Sequence, residues 1–168
     1  MKKEFGIKGL PLIECINPNL RKYRIRFDVQ PNFKETGNEK CVSFMEEEIL
    51  YKPTLNQVKD IVLKGYNQTI DDKILSGFVW KDMQVWLSTE NQFNYKAAYD
   101  LAVMSQGKSL PTVFKFGTTD NPVYYSFGTL EDISDFYISA MSYINTCLAE
   151  GWKKKDSIDW NVYEQALM

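Results

Sequence analysis

Apolar and polar positions along the chain form a unit that occurs twice: an aromatic hairpin, a hydroxyl residue able to cap a helix, and an amphipathic helix. The first copy runs from Phe78 to Ser88, and the second runs from Phe114 to Thr129. Ser and Thr are favoured at helix N-caps because their side-chain oxygen accepts a hydrogen bond from a backbone N–H that has no partner inside the helix. The pattern therefore predicts two hairpin-helix units within residues 75–160.

The register of the first hairpin follows from its turn. A two-residue turn at residues 81–82 places Trp80 opposite Met83. It also places Phe78 opposite Val85 on the same face, because side chains in a strand alternate with a period of two. Lys-Asp is a weaker turn signal than Asn-Gly, so this prediction depends mainly on the alternation of the apolar residues.

Three main helices are predicted where apolar residues recur at three- and four-residue steps. Their predicted bounds are residues 53–77, 88–107 and 129–151, with Gly107 and Gly151 as the stop signals of the last two. The inner face of the second helix is predicted to consist of Phe93, Ala97, Ala98, Leu101, Ala102 and Met104.

The first third of the chain predicts a strand pair. Ile25 and Phe27 alternate with Arg24 and Arg26, a pattern that indicates a half-buried strand with the arginines on its exposed face. Its predicted partner is residues 41–50, across a loop at 30–39 that is rich in turn residues.

These elements predict an α+β fold in which antiparallel β-hairpins alternate with three main α-helices. Residues 1–20 contain two glycines and two prolines and are predicted to form an N-terminal arm. Residues 21–168 are predicted to form a single α+β domain. Within it, residues 21–74 supply a hairpin and a helix, and residues 75–160 supply the two hairpin-helix units.

The composition limits the chemistry. The 168 residues contain no histidine, which removes Ser-His-Asp, Cys-His and imidazole-metal sites. The three cysteines Cys15, Cys41 and Cys147 are widely separated and favour neither a zinc site nor a disulfide framework. We therefore expect no catalytic residue, no metal and no cofactor, and we expect that the protein is not an enzyme.

The net charge and the hydrophobic pattern bear on location and partners. With 20 basic and 22 acidic residues, the net charge of -2 offers no general attraction for nucleic acid or an anionic membrane. No stretch approaches the roughly 18 apolar residues of a membrane span. We expect a soluble protein that is made in a reducing cytosol.

Residues 102–109 match a relaxed phosphate-loop pattern that ends in Gly107, Lys108 and Ser109. A phosphate loop requires a strand before the glycine-rich segment and a helix after it. The predicted order here is a helix followed by a strand, which favours a helix C-terminus capped by Gly107.

Two other patterns leave alternative functions open. Acidic runs at residues 46–48, 71–72 and 131–135 could supply a carboxylate pair for a small enzyme such as a cell-wall hydrolase, or ligands for a divalent metal. Arg24, Arg26 and the neighbouring tyrosines could bind single-stranded nucleic acid. Solvated charge explains both patterns more simply, so a nucleic-acid partner is not expected.

Aromatic residues on the two hairpins are the candidates for an interaction surface. A two-stranded hairpin buries one face well, so large rings on its other face need a partner or a covering helix. The candidates for this surface are Trp80, Trp86, Tyr124, Tyr125 and Phe127. Packing in the core against the second and third helices is the alternative for each ring, because large apolar rings are usually internal.

Residues 75–160 resemble a prophage-encoded domain of unknown function from gut bacteria that is related to phage tail-fibre-region proteins. The resemblance lies in the aromatic hairpin, the helix start from Ser88 to Gln92, the Thr129 cap and a helix that ends near Trp152. It implies a non-enzymatic phage or prophage structural or tail-associated protein that acts through protein–protein contacts. Its expected partners are other phage structural proteins or a second copy of itself, with no membrane. The resemblance also implies synthesis in the bacterial cytoplasm, with virion association as a further expectation.

Overall fold

The computed structural model describes residues 1–32, 37 and 40–168. Helices and antiparallel strands alternate along the chain, which confirms the predicted α+β fold. The chain divides into two compact units. The first unit consists of Met1–Gln68 and Lys154–Met168, and the second unit consists of Thr69–Lys153.

The first unit contains a four-stranded antiparallel sheet with strand order β1-β4-β3-β2, together with helices. Residues 1–20, the predicted arm, contribute the two edge strands of this sheet. The predicted loop at 30–39 falls largely outside the described residues. The strands are β1 (Lys2–Ile7), β2 (Ile13–Asn17), β3 (Lys22–Pro31) and β4 (Cys41–Ile49), and the helices are the first part of α1 (Leu55–Ser76) and α4 (Trp160–Leu167).

One face of this sheet carries the core of the first unit. Ile25 and Phe27 of β3 are completely or almost completely buried there, and they pack with Val58 and Val62 of α1. Tyr163 of α4 joins the cluster, and its hydroxyl donates a 3.1 Å hydrogen bond to the backbone carbonyl of Arg26. The hydroxyl can be buried because this carbonyl accepts its hydrogen bond.

The other face carries a buried ion pair, which corrects the predicted exposed face of β3. Arg26 and Glu46 are only 4% and 3% exposed, and Arg26 Nε donates a 3.0 Å hydrogen bond to Glu46. The remaining guanidinium nitrogens donate to Glu14 and to the carbonyl of Pro11. The segment before β2 therefore supplies an acceptor to this face, and the charge is buried because it is paired.

The second unit contains two hairpins and two helices, together with the end of α1. The pairing of strands in the first hairpin confirms the predicted register, because Trp80 pairs with Met83 and Phe78 pairs with Val85. Both turn residues, 81 and 82, have positive φ, as a type I′ turn requires. The elements are β5 (Phe78–Trp80), β6 (Met83–Val85), α2 (Thr89–Met104), β7 (Thr112–Gly117), β8 (Pro122–Phe127) and α3 (Leu130–Asp156).

Both predicted N-caps are confirmed. The Ser88 hydroxyl accepts a hydrogen bond from the backbone N–H of Asn91, and the Thr129 hydroxyl accepts one from the N–H of Asp132. Each cap satisfies a backbone donor that has no partner within its helix.

The predicted inner face of α2 is wrong for four of its six residues. Tyr95 and Ala102 are the buried residues of this helix, and Ala98 packs beside them. The four residues Phe93, Ala97, Leu101 and Met104 are exposed instead.

The predicted end of the third helix at Gly151 is also wrong. Helix α3 continues to Asp156, and Gly151 is buried inside it. A Cβ at this position would lie 2.5 Å from Cγ1 of Ile70, well inside the 3.5–4.0 Å of ordinary carbon contacts. Gly151 therefore serves close packing against α1 and does not stop the helix.

An aromatic cluster fills the core of the second unit. Its rings contact one another at centroid distances between 4.8 and 6.5 Å, mostly tilted or edge-on. Such arrangements add about 0.5–1.5 kcal/mol per pair beyond the burial itself. The cluster includes Trp80, Tyr95, Phe114, Phe116, Tyr125, Phe127 and Phe136.

Within the described part of the chain, we find no helix with the length and apolar character needed to cross a membrane.

Candidate interaction surface

The structure separates the five predicted surface residues. Trp80 and Phe127 are 5% and 0% exposed and belong to the core, so neither lies on a surface. Tyr125 is half-buried beside them. Trp86 and Tyr124 are 43% and 69% exposed, and these two remain as surface residues.

Trp80 can be buried because its one polar group has a partner. Its indole Nε1 donates a 3.0 Å hydrogen bond to Asp135, while its ring lies 5.5 Å from Phe127 and 5.2 Å from Phe136. A buried tryptophan without such an acceptor would lose the hydrogen bond that its N–H makes to water. The sequence alone shows the ring but not the distant acceptor.

The β7–β8 hairpin has one face in the core and one in solvent. Register pairs Lys115 with Tyr124 and Val113 with Ser126, and all four side chains are exposed. The opposite face carries Phe114, Phe116, Tyr125 and Phe127. Val113 and Lys115 were not among the predicted surface residues, although their alternation with Phe114 and Phe116 is the signal that could have found them.

Trp86 is held in a defined position next to this face. Its Nε1 donates a 3.2 Å hydrogen bond to the carbonyl of Gly117, and its own carbonyl accepts one from the side-chain amide of Asn91. A cleft of about 190 Å³ between Trp86 and the end of β7 is lined by Lys115, Thr118 and others. Lys115 links this cleft to Tyr124, its cross-strand neighbour.

We call this exposed area the Trp86–Tyr124 surface. It combines two large aromatic side chains, two β-branched residues and one cation on a single side of the second unit. Its members are Trp86, Val113, Lys115, Thr118 and Tyr124.

The acidic residues at the start of α3 hold the first hairpin in place. Asp132 binds Lys81 at 2.6 Å and accepts a 2.9 Å hydrogen bond from the hydroxyl of Tyr125. These contacts raise the pKa of Lys81 above its usual value, with the bond to Asp132 as the largest cause. Asp135 accepts the hydrogen bond from Trp80. Two of the three acidic residues in the run at 131–135 therefore have structural partners.

The acidic run on β4 is likewise occupied by cations. Glu48 accepts hydrogen bonds from Lys22 and Arg24, which lower its pKa to about 2. Glu46 is bound to Arg26, so the arginines that a nucleic-acid groove would need already face carboxylates. Among residues 1–32, 37 and 40–168, no group of three or more His, Cys, Asp or Glu is arranged to hold a metal ion.

The phosphate-loop pattern at 102–109 lies at the end of α2, in the predicted order of helix, loop and strand. Gly107 has φ +82° and its N–H donates to the carbonyl of Ala102. This is the geometry of a glycine that terminates a helix. The segment therefore lacks the strand-loop-helix order that cradles a phosphate.

Comparisons with known proteins find no matching family model, no similar curated protein and no similar solved structure. The resemblance of residues 75–160 to prophage domains stays a prediction.

Proposed function

We propose that this protein is a non-enzymatic module that acts through protein–protein contacts, with the Trp86–Tyr124 surface as its docking face. The observation that supports this proposal is the pair of exposed aromatic side chains on one side of a hairpin whose other side is packed into an aromatic core. The proposed setting, a phage or prophage structural or tail-associated protein, rests on the resemblance of residues 75–160.

The residue types of this surface fit protein recognition. Trp and Tyr are enriched at the energetic centres of interfaces because they bury a large area at a small cost in side-chain entropy. The hydrogen bond from Trp86 to Gly117 holds the indole before a partner arrives, which lowers the cost of ordering it. Lys115 lies between Trp86 and Tyr124, so the partner should offer apolar side chains with a carboxylate opposite this cation.

The partner can be sought among the proteins encoded next to this one. Each neighbour would be purified and titrated against the full chain by calorimetry. We expect one of them to bind, and we expect Trp86→Ala and Tyr124→Ser to weaken that binding by tenfold or more, as truncation of a central aromatic residue usually does.

Trp152→Ala is the matched control, because Trp152 is 55% exposed on α3 and is not part of this surface. It should leave the affinity within about twofold of the starting protein. Binding that survives both Trp86→Ala and Tyr124→Ser, or no binding by any neighbouring protein, would refute the proposal.

A further inference from the structure

Strand β8 is an open edge of the β7–β8 hairpin. It pairs with β7 on one side, and within residues 1–32, 37 and 40–168 no second strand pairs with it. Its residues from Pro122 to Ser126 are exposed or half-buried. On the β7 side of the hairpin, by contrast, the carbonyl of Gly117 is already bound by the Trp86 indole. An open edge carries backbone N–H and C=O groups that can pair with a strand of another molecule.

The pairing pattern shows which backbone groups of β8 point outward. Pro122 has no N–H, so it and Gly117, its partner in β7, cannot exchange two backbone hydrogen bonds. Bonded pairs occupy every second position of an antiparallel ladder, and in β8 they therefore begin at Val123. The N–H and C=O groups of Tyr124 and Ser126 consequently point away from β7. Among the residues that the structure describes, none forms a hydrogen bond to these outward groups.

The sequence of β8 leaves this edge unprotected. Exposed edge strands usually carry charged side chains that discourage pairing with other molecules. Edge strand β1 has three such side chains, Lys2, Lys3 and Glu4, whereas β8 has no charged residue and consists mainly of aromatic and β-branched residues. Strand β8 is therefore suited to accept a strand.

An acidic cavity of about 510 Å³ begins where β8 ends. Lys81 forms an ion pair with Asp132 at 2.6 Å, and within the described part of the chain no cation pairs with Glu131 or Asp135. The cavity therefore offers two carboxylates to a basic side chain from outside. Its lining residues are Lys81, Gly128, Thr129, Glu131, Asp132 and Asp135.

The cavity lies on the core-side face of the hairpin. Tyr125 is on that face, and its hydroxyl donates a 2.9 Å hydrogen bond to Asp132 in the cavity lining. In an added strand, the residues opposite Tyr125 and Phe127 point to the same face, because side chains directly opposite each other share a face. The residue opposite Phe127 is nearest to the cavity, since Gly128 and Thr129 follow Phe127 directly.

We propose that the partner docks as an extended segment that adds an antiparallel strand to β8 and places an arginine or lysine in this acidic cavity. Two backbone hydrogen bonds form at each of Tyr124 and Ser126, and the cavity selects the basic side chain. This inference rests on the proposed function, because Tyr124 belongs both to β8 and to the Trp86–Tyr124 surface. The carboxylate expected opposite Lys115 lies on the solvent face, so the two charges of the partner do not compete.

Fluorescence anisotropy of a labelled synthetic peptide with the full chain tests the proposal. The probe has about seven residues, in which threonine and valine alternate and arginine replaces the central valine. We expect saturable binding with a dissociation constant of roughly 0.1–1 mM, because a short peptide must be ordered when it binds. A peptide with glutamate in place of arginine should bind at least about fivefold more weakly.

Methylation of the peptide backbone distinguishes strand addition from docking of side chains alone. N-methylation of the threonines removes the N–H groups that face β8 and should abolish binding. N-methylation of the valines removes N–H groups that point away from β8, so the affinity should change by less than about twofold.

Variants of the protein test the two parts of the site. Ser126→Pro removes an outward N–H that the ladder to β7 does not use, and should weaken binding about fivefold or more. Ser126→Thr keeps this N–H and is the matched control. Glu131→Gln should weaken the arginine peptide about threefold, whereas Glu164→Gln, exposed on α4, should leave its affinity unchanged. Far-UV circular dichroism shows that each variant is folded.

Strand addition would be overturned if the arginine peptide failed to bind at millimolar concentration, or if both methylated peptides bound equally well. It would also be overturned if a neighbouring protein lost affinity with Trp86→Ala but bound Ser126→Pro at full strength. That last result leaves the proposed function standing. Failure of every neighbouring protein to bind, by contrast, refutes the proposed function whatever the peptides do.

Discussion

Gly65 in α1 offers a sharp test of the packing in the first unit. Replacement by alanine normally stabilises an exposed helix by about 1 kcal/mol. Here a Cβ would lie 2.5 Å from Cε2 of Phe27 and closer still to Cζ of the same ring. Phe27 is only 1% exposed, so its ring has little room to move away.

The structure therefore predicts that Gly65→Ala destabilises the protein. Overpacking of a closed core costs about 1–3 kcal/mol, and the gain in helix propensity returns about 1 kcal/mol of it. The balance is a net loss of up to about 2 kcal/mol. In a Phe27→Leu background the ring atoms that clash are absent, so the same Gly65→Ala change should become neutral or stabilising.

Urea unfolding followed by far-UV circular dichroism and by tryptophan fluorescence measures these changes. Gly128→Ala is the control, because a Cβ there would meet nothing within 4 Å, and its effect should stay within about 0.5 kcal/mol. The reasoning would be refuted if Gly65→Ala alone raised the free energy of unfolding by about 1 kcal/mol, as at an unobstructed helix position.

Two further predictions concern charge and the turn of the first hairpin. Because Lys22 and Arg24 lower the pKa of Glu48 from 4.5 to about 2, its contribution to stability is complete above pH 4.5 and disappears as the pH falls towards 2. Glu48→Gln should flatten this part of a stability profile measured by urea unfolding at several pH values, and an unchanged slope would contradict the assignment. Asp82 has φ +62°, so Asp82→Gly should raise the free energy of unfolding by about 0.5–1 kcal/mol, whereas Asp120→Gly, without such a φ, should not. Equal thermal shifts in both variants would argue against backbone strain at Asp82.

Local signals in the sequence predicted the parts of the fold that depend on neighbouring residues. The position of the turn at 81–82 and the alternation of apolar residues beside it together determine which residues of the first hairpin pair. The caps at Ser88 and Thr129 bind backbone groups three residues away. Both features lie within one element or one hairpin.

Features that depend on distant residues were missed. Helix α2 has two apolar sides, and nothing within it shows that Tyr95 faces the core while Phe93 faces solvent. Gly151 looked like a helix stop because the contact that explains it is with Ile70, far away in the sequence. For the same reason Trp80 was placed on the surface, since its acceptor Asp135 belongs to another element.

The first unit is assembled from both ends of the chain, with the second unit inserted between them. During synthesis on a ribosome, all residues of the inserted unit therefore emerge before the amino-terminal sheet can receive Tyr163 from α4. A nascent chain that stops before Trp160 leaves the hydrophobic face of β3 partly uncovered. Vectorial folding should thus complete the inserted unit first and close the amino-terminal one last.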